Sequence, residues 1–149
     1  MDEFDRRILR ELARDGRASW LDIAEKINLS ASACQRRAQA MQKKGIIRHF
    51  TVSLDHKAMG LQVRAFVQVK VERHSTKKAE EFKEAIRLSP EVQSCYQLAG
   101  SIDYLLDVIA PDLESFARFI EQKLLTLEVV TDAASSIVLE EVKAFEPMV

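Results

Sequence analysis

The side chains of this sequence best suited to recognition chemistry lie between positions 30 and 45. Five polar side chains recur there at helical spacing and fall on one face: Ser32, Gln35, Arg36, Gln39 and Lys43. A Gln side chain can bond two atoms of adenine in the DNA major groove, and an Arg side chain can do the same to guanine. The pattern predicts a helix that reads base edges, and the alternative is an ordinary solvated helix surface.

The helix that must position these side chains has recognisable ends. Ser30 is suited to cap its N-terminus, because a Ser hydroxyl accepts from the free N–H groups of the first turn. Gly45 is suited to end it, because Gly enters the left-handed conformation at little cost. A narrow apolar stripe marks the buried side, formed by Ala31, Cys34, Ala38 and Met41. Cys34 is therefore expected to be a small core residue, with a redox role as the alternative.

The segments around this helix predict a helix-turn-helix with a wing. Apolar periodicity predicts helices over 2–14 and from 20 to 27, so that three helices precede Gly45. Residues 46–54 are β-branched and aromatic and mostly alternate, which predicts a strand just past the third helix. Such a wing places Arg48 and His49 beside the DNA backbone, although His49 also fits an exposed strand residue.

The second half of the chain alternates between strand and helix patterns. The predicted order is β-α-β-β-α-β, a ferredoxin-like unit. Its strands are predicted over 63–71, 92–98, 104–110 and 136–142, with helices over 76–88, capped by Ser75 and Thr76, and over 112–124. This fold leaves one sheet face without helices, so a unit of this size is expected to dimerise. Phe66 is predicted to point to that face.

The charge is distributed unevenly between these halves. The 149 residues have a net charge of −1, 47% hydrophobic and 30% charged residues, typical of a soluble globular protein. Residues 1–60 hold 12 Lys and Arg against 8 Asp and Glu, whereas 61–149 hold 10 against 15. A basic half beside an acidic half indicates two domains with different partners. We predict a DNA-binding domain over 1–54, a linker over 55–62 and a second domain over 63–149.

The composition excludes several other classes of protein. No apolar run reaches the ~20 residues of a membrane span, and the acidic N-terminus is unlike a signal peptide. Cys34 and Cys95 form no CxxC pair, which favours two free thiols in a reducing cytoplasm. His49, His56 and His74 have no acidic or Cys neighbour at ligand spacing, so no metal site, cofactor or catalytic site is expected.

Several short stretches together resemble one family. They are Asp5-Arg-Arg-Ile-Leu, Asp15-Gly-Arg, Leu29-Ser-Ala-Ser, Arg36-Arg37 and Lys44-Gly-Ile-Ile. They are similar to the leucine-responsive regulator/AsnC family, the feast/famine regulators, and the resemblance covers essentially the whole chain. It implies a winged helix-turn-helix that binds double-stranded DNA as part of a dimer. By resemblance, Ser30, Ser32, Gln35, Arg36 and Gln39 face the groove, and Lys43 and Arg48 touch phosphates. Arg37 lies near the buried edge, and we expect a structural or phosphate role for it.

The resemblance also implies an effector loop in the second half. Gly100-Ser101-Ile102-Asp103-Tyr104 matches the loop in which the family binds small amino acids between dimers. There the backbone at Gly100 can bond an α-carboxylate and Asp103 can pair with an α-ammonium, while Ser135 and Ser136 could complete a polar wall from a neighbouring subunit. The alternative is a plain β-turn that uses Gly and Asp. The family commonly has a Gly before its last strand, and residues 127–131 have none.

These observations lead to one overall expectation. The fold class is α+β, an N-terminal winged helix-turn-helix joined to a C-terminal ferredoxin-like βαββαβ domain for effector binding and oligomerisation. The function is amino-acid-responsive transcriptional regulation in the cytoplasm, at the nucleoid of a bacterium or archaeon, by a homodimer that assembles into tetramers or octamers. Two alternatives remain: an architectural protein that bridges DNA without an effector, and a siroheme-decarboxylase-like enzyme, which also resembles this family.

Overall fold

The computed structural model describes residues 1–72 and 76–149. His74 and the predicted helix cap Ser75 lie outside the described residues. The chain divides into two compact units, one formed by 1–54 with 143–149 and the other by 55–142. Among the described residues, no helix has the length and apolar character needed to cross a membrane.

The first unit contains the three predicted helices. They are α1 (Glu3–Arg14), α2 (Trp20–Ile27) and α3 (Ala31–Lys43). Asp2, Ser19 and Ser30 cap their N-termini, each accepting a hydrogen bond from a first-turn N–H. Asn28 ends α2 in the left-handed conformation, at φ 62°, which Asn tolerates better than most residues. This turn redirects the chain within three residues, so that α3 follows α2 directly.

The core of the first unit lies where the three helices meet. Ile8, Ile23 and Cys34 are fully buried there, one from each helix. Ala38 and Met41 continue the α3 stripe into the same cluster. The predicted apolar stripe is therefore confirmed, and its small residues bring α3 close to the other helices.

The predicted wing strand over 46–54 is wrong, because this segment forms no strand in the structure of the single chain. These residues have no regular secondary structure, and Ile46, Phe50, Val52 and Leu54 are exposed. Alternation makes a segment capable of forming a strand, but a strand also needs a neighbour for its backbone N–H and C=O groups. No described strand pairs with this segment.

The second unit is built on a four-stranded antiparallel sheet. Its strands are β1 (Val63–Val71), β2 (Val92–Gln97), β3 (Tyr104–Ala110) and β4 (Val130–Ile137), in the order β2-β3-β1-β4. The helices α4 (Thr76–Arg87) and α5 (Leu113–Phe119) alternate with them, and a π-helical turn over Ile120–Leu124 extends α5. The βαββαβ order is confirmed.

The helices cover one face of this sheet. Phe82 of α4 and Phe116 of α5 share a buried cluster with Val67 of β1 and Leu106 of β3. Because strand side chains alternate between faces, β1 presents Ala65, Val67 and Val69 to the helices, as the sequence pattern predicts. The strands β2 and β4 form the two edges of the sheet.

The last strand begins earlier than predicted. The strand is predicted over 136–142, whereas β4 runs from Val130 to Ile137. Its antiparallel ladder with β1 pairs Val71 with Val130 and Ala65 with Ile137, so β1 ends where β4 begins. Leu139 and Val142 belong to the predicted strand but lie beyond β4 and are exposed.

On the other sheet face, no helix from the described part of the second unit packs against the strands. Phe66 points to this face, as predicted, and is 38% exposed. Beside it, Arg64 donates from Nε to Asp107 Oδ1 at 3.0 Å and from Nη2 to Asp107 Oδ2 at 2.7 Å. Arg64 also donates to Glu141 at 2.8 Å. Asp107 is only 8% exposed, so this fork compensates a carboxylate that is largely withdrawn from water.

Candidate DNA-recognition face and effector cavity

The polar face of α3 is exposed along its whole length. The exposed side chains are the predicted ones: Ser32, Gln35, Arg36, Gln39 and Lys43. Ser30 acts as the helix cap, since its Oγ accepts from the Ala33 N–H at 3.2 Å and lies 3.2 Å from the Ser32 Oγ. The face can therefore present amide and guanidinium groups outward while Ser30 holds the first turn.

Arg37 lies on a different side of α3 from Arg36. Its Nη1 donates to Asp2 Oδ2 and to Asp5 Oδ1, both at 2.8 Å, and its guanidinium lies 5.7 Å from the centre of the Phe4 ring. The hydrogen bonds to Asp5 and Asp2 raise the pKa of Arg37. These contacts join α3 to the first turn of α1, so the structural role expected for Arg37 is supported.

The structure also places two other residues with predicted roles in the first unit, Arg48 and Cys34. Arg48 is exposed within the irregular segment over 46–54, so its predicted phosphate contact stays a prediction. Cys34 is fully buried, and burial raises the pKa of its thiol. Because the thiolate is the reactive form, these properties favour the core role over a redox role.

A cavity of the second unit lies between α4 and the loop that joins β2 to β3. It has a volume of about 570 Å³, within the range of small-molecule sites. Gly100, Asp103 and Tyr104 line it, so three residues of the predicted effector loop reach one cavity. Ser101 and Ile102 belong to the same loop but do not line the cavity.

Asp103 fixes the end of this loop against β1. Its backbone N–H donates to the Val69 carbonyl at 3.0 Å, and its Oδ2 accepts from the Val71 N–H at 3.0 Å. Its own carbonyl accepts from the Leu98 N–H at 2.8 Å, which closes the loop. The carboxylate is thus held beside the cavity by main-chain contacts.

The two predicted serines lie elsewhere in the chain. Ser135 pairs with Val67 and Ser136 with Phe66, both across the β1–β4 ladder. Since β4 and β2 are opposite edges of the sheet, neither serine meets this cavity within one chain. The prediction placed them as contributions from a neighbouring subunit, and it stays a prediction.

The residues of α4 that line this cavity were not predicted from the sequence. Thr76, Ala79, Glu80 and Lys83 line it, at the spacing of one helix face. Lys83 donates from Nζ to Glu80 Oε1 at 2.8 Å, which raises the pKa of Lys83 and lowers the pKa of Glu80. The spacing was visible in the sequence, but only the fold reveals that this face of α4 meets the loop after β2.

Family models match both units. The model for the AsnC-type helix-turn-helix domain matches residues 1–42, and the model for the Lrp/AsnC ligand binding domain matches residues 64–148. The second match alone spans more than half of the chain.

Individual proteins are similar over nearly the whole chain. The transcriptional regulator AzlB of Bacillus subtilis is 37% identical over 96% of this chain and 91% of its own length. The leucine-responsive regulatory protein of Escherichia coli is 32% identical over 96% and 87%. A crystal structure of a Neisseria meningitidis transcriptional regulator in complex with L-Met superposes with a TM-score of 0.92 at 35% identity, covering 97% of this chain and 93% of that one.

Proposed function

This chain belongs to the Lrp/AsnC family of transcriptional regulators, and we propose that it binds specific DNA sites in response to an α-amino acid. One observation carries the proposal. The same chain holds an exposed Ser, Gln and Arg face on α3 and a cavity under the loop at Gly100 and Asp103. The first can select a DNA sequence, and the second can hold a small zwitterion.

For DNA, the proposal separates affinity from sequence choice. Lys43 and Arg48 contact phosphates, which supplies affinity that falls as salt rises. Gln35, Arg36 and Gln39 contact base edges, which supplies discrimination. A two-fold dimer presents two α3 helices, so we expect a roughly palindromic site.

For the effector, the proposal uses the chemistry of the loop. The main chain opened at Gly100 bonds the α-carboxylate, and Asp103 pairs with the α-ammonium. Ser135 and Ser136 reach the ligand from a neighbouring subunit. The relative from Neisseria meningitidis was crystallised with L-Met, which supports an amino acid as the class of ligand.

Assembly links the two sites in this proposal. The helix-free sheet face, with Phe66 exposed on it, forms a homodimer, and dimers assemble into tetramers or octamers. Effector bound between dimers shifts this assembly and so changes DNA occupancy. A coupling of ~1–3 kcal/mol changes occupancy about five-fold to a hundred-fold. The Bacillus subtilis relative is named a transcriptional regulator and the Escherichia coli relative a regulatory protein, which supports a cytoplasmic regulator over an enzyme.

A thermal-shift screen against the twenty amino acids tests the proposal, followed by DNA binding and sizing with any ligand found. A ligand that binds only the folded protein raises its melting temperature by mass action. We expect one or a few amino acids to do so at millimolar concentration and to change DNA binding. If none stabilises the protein while specific DNA binding persists, the effector part is wrong and an architectural role is favoured.

A further inference from the structure

We propose that Lys83 is the specificity-determining residue of the effector cavity and selects amino acids whose side chain ends in a carbonyl oxygen. These are the carboxylates Asp and Glu and the carboxamides Asn and Gln. The inference rests on the proposed function, because it requires an amino acid in the cavity beneath Gly100 and Asp103.

Lys83 lies where two cavities meet. The effector cavity of about 570 Å³ and a second cavity of about 410 Å³ share Lys83, Gln97 and Tyr104 as lining residues. The second cavity continues between α4 and the edge strand β2 towards Arg87 and Cys95. A ligand whose head group binds at Gly100 therefore extends its side chain past Lys83.

The charges along this groove are ordered. At the loop end, Asp103 and Glu72 line the cavity, and they favour the α-ammonium of the ligand. Glu80 and Lys83, which pair with each other, come next, and Arg87 follows one helical turn beyond Lys83 on α4. A ligand that is positive at its head and carries an acceptor oxygen on its side chain complements this order.

The Lys83 ammonium has N–H donors that Glu80 does not use. A Lys ammonium has three N–H donors, and Lys83 gives one to Glu80 at 2.8 Å. It has no other hydrogen-bond acceptor among residues 1–72 and 76–149. This pairing raises the pKa of Lys83, so the ammonium stays charged at neutral pH. A side-chain carbonyl oxygen can accept one of the remaining donors.

Other classes of side chain fit this arrangement less well. An aliphatic side chain withdraws the ammonium from water and offers it no acceptor, which is unfavourable. A basic side chain meets the like charges of Lys83 and Arg87. A hydrogen bond to a charged group is worth enough to separate the first class from the oxygen-bearing side chains by about tenfold or more.

Calorimetric titration of the full chain with Gln, Glu, Asn, Asp, Met, Leu and Lys tests the proposal. We expect at least one of the four oxygen-bearing amino acids to bind at least tenfold more tightly than Met. Lys83→Met keeps the side-chain length and removes the charge. It should bring the ratio of the Kd for Met to the Kd for the preferred oxygen-bearing amino acid close to one, while Met still binds. Lys83→Arg should keep the preference. Lys77→Met is the matched control, since Lys77 is an exposed lysine of α4 that lines neither cavity.

A second variant covers the case in which Lys83→Met does not fold. Glu80→Gln weakens the contact that holds the ammonium and should increase the preference for oxygen-bearing side chains. The proposal is overturned if the wild type prefers Met, Leu or Lys, or if the ratio is unchanged in Lys83→Met, or, where Lys83→Met does not fold, if it is unchanged in Glu80→Gln. If the ratio is unchanged but Asp103→Asn abolishes binding, the effector site stands and the role of Lys83 is wrong. If no amino acid binds the wild type, the proposed function and this inference both fail.

Discussion

Arg37 of α3 donates to Asp5 of α1 at 2.8 Å, whereas the adjacent Arg36 is exposed on the recognition face. A helix turns by about 100° per residue, so two neighbouring arginines point to different sides. One arginine therefore joins two helices and the other is free to meet DNA. The two side chains provide a matched pair for experiment.

Replacing Arg36 by Ala should weaken specific DNA binding. A bidentate contact to a base contributes ~1–3 kcal/mol of discrimination, so the loss should be about five-fold to a hundred-fold on the specific site and smaller on random DNA. Fluorescence anisotropy with both DNAs measures the two affinities. Arg14→Ala is the control, because Arg14 is an exposed arginine of α1. Equal losses on both DNAs would mean that Arg36 contacts phosphates only.

Replacing Arg37 by Gln should lower the melting temperature, because Asp2 and Asp5 lose their common donor. The backbone N–H of Asp5 and the Arg37 side chain lower the pKa of Asp2 below its ordinary value of 3.8. A group with a lowered pKa stabilises the fold above its unfolded pKa, and this stabilisation is lost as the pH falls through the folded value.

Thermal unfolding of wild type and Arg37→Gln as a function of pH checks this expectation. The difference in melting temperature between wild type and Arg37→Gln should have its full value above pH 3.8 and should become smaller below that pH. In an Asp2→Asn background the Arg37→Gln effect should be smaller, as for residues in direct contact. A difference that does not change with pH would contradict the role of the carboxylates.

Asp103→Asn should remove the response of DNA binding to the effector and leave DNA binding without effector unchanged. The amide keeps an acceptor for the Val71 N–H but removes the charge that pairs with an α-ammonium. Anisotropy with and without the amino acid found in the screen provides the measurement. Asp132→Asn, an exposed carboxylate on β4, is the control. A normal response in Asp103→Asn would show that this carboxylate does not hold the ligand.

Arg64→Met should destabilise the second unit, because it leaves the buried Asp107 carboxylate without its fork of donors. An unsatisfied buried acceptor costs about 1–3 kcal/mol in the free energy of unfolding. Replacing both residues, as Arg64→Met with Asp107→Leu, should recover most of this loss, since an apolar pair needs no hydrogen bonds. Urea unfolding of both variants measures the difference, and a double variant no more stable than the single one would contradict it.

The sequence predicted most of the fold because local signals agreed with packing. The Ser30 cap and the Ala and Cys stripe specify α3, and the regular valine alternation specifies β1. The two strand errors share a cause. Residues 46–54 and 136–142 have side chains typical of strands, but such a pattern does not say whether a partner strand lies beside them.

The candidate site could be predicted only in part for a related reason. The loop at Gly100 matches a short motif of the family, so the resemblance predicted it as the effector loop, and that role stays a prediction. The wall from Glu80 and Lys83 depends on which face of α4 lies against the loop after β2, and that is a property of tertiary packing. A charged pair three residues apart is common on helix surfaces and does not by itself indicate a cavity.

The hydrogen bond from the Val71 N–H to the Asp103 carboxylate links the cavity to the main chain of β1. Under the proposed function, an effector ammonium binds the same carboxylate that accepts from a main-chain donor of β1, and a carboxylate has acceptor positions for both. Amide proton exchange at Val71 should then report occupancy directly, as a change in exchange rate when the effector binds. Binding at the loop would thereby be felt at the last residue of β1, a strand paired on both of its edges.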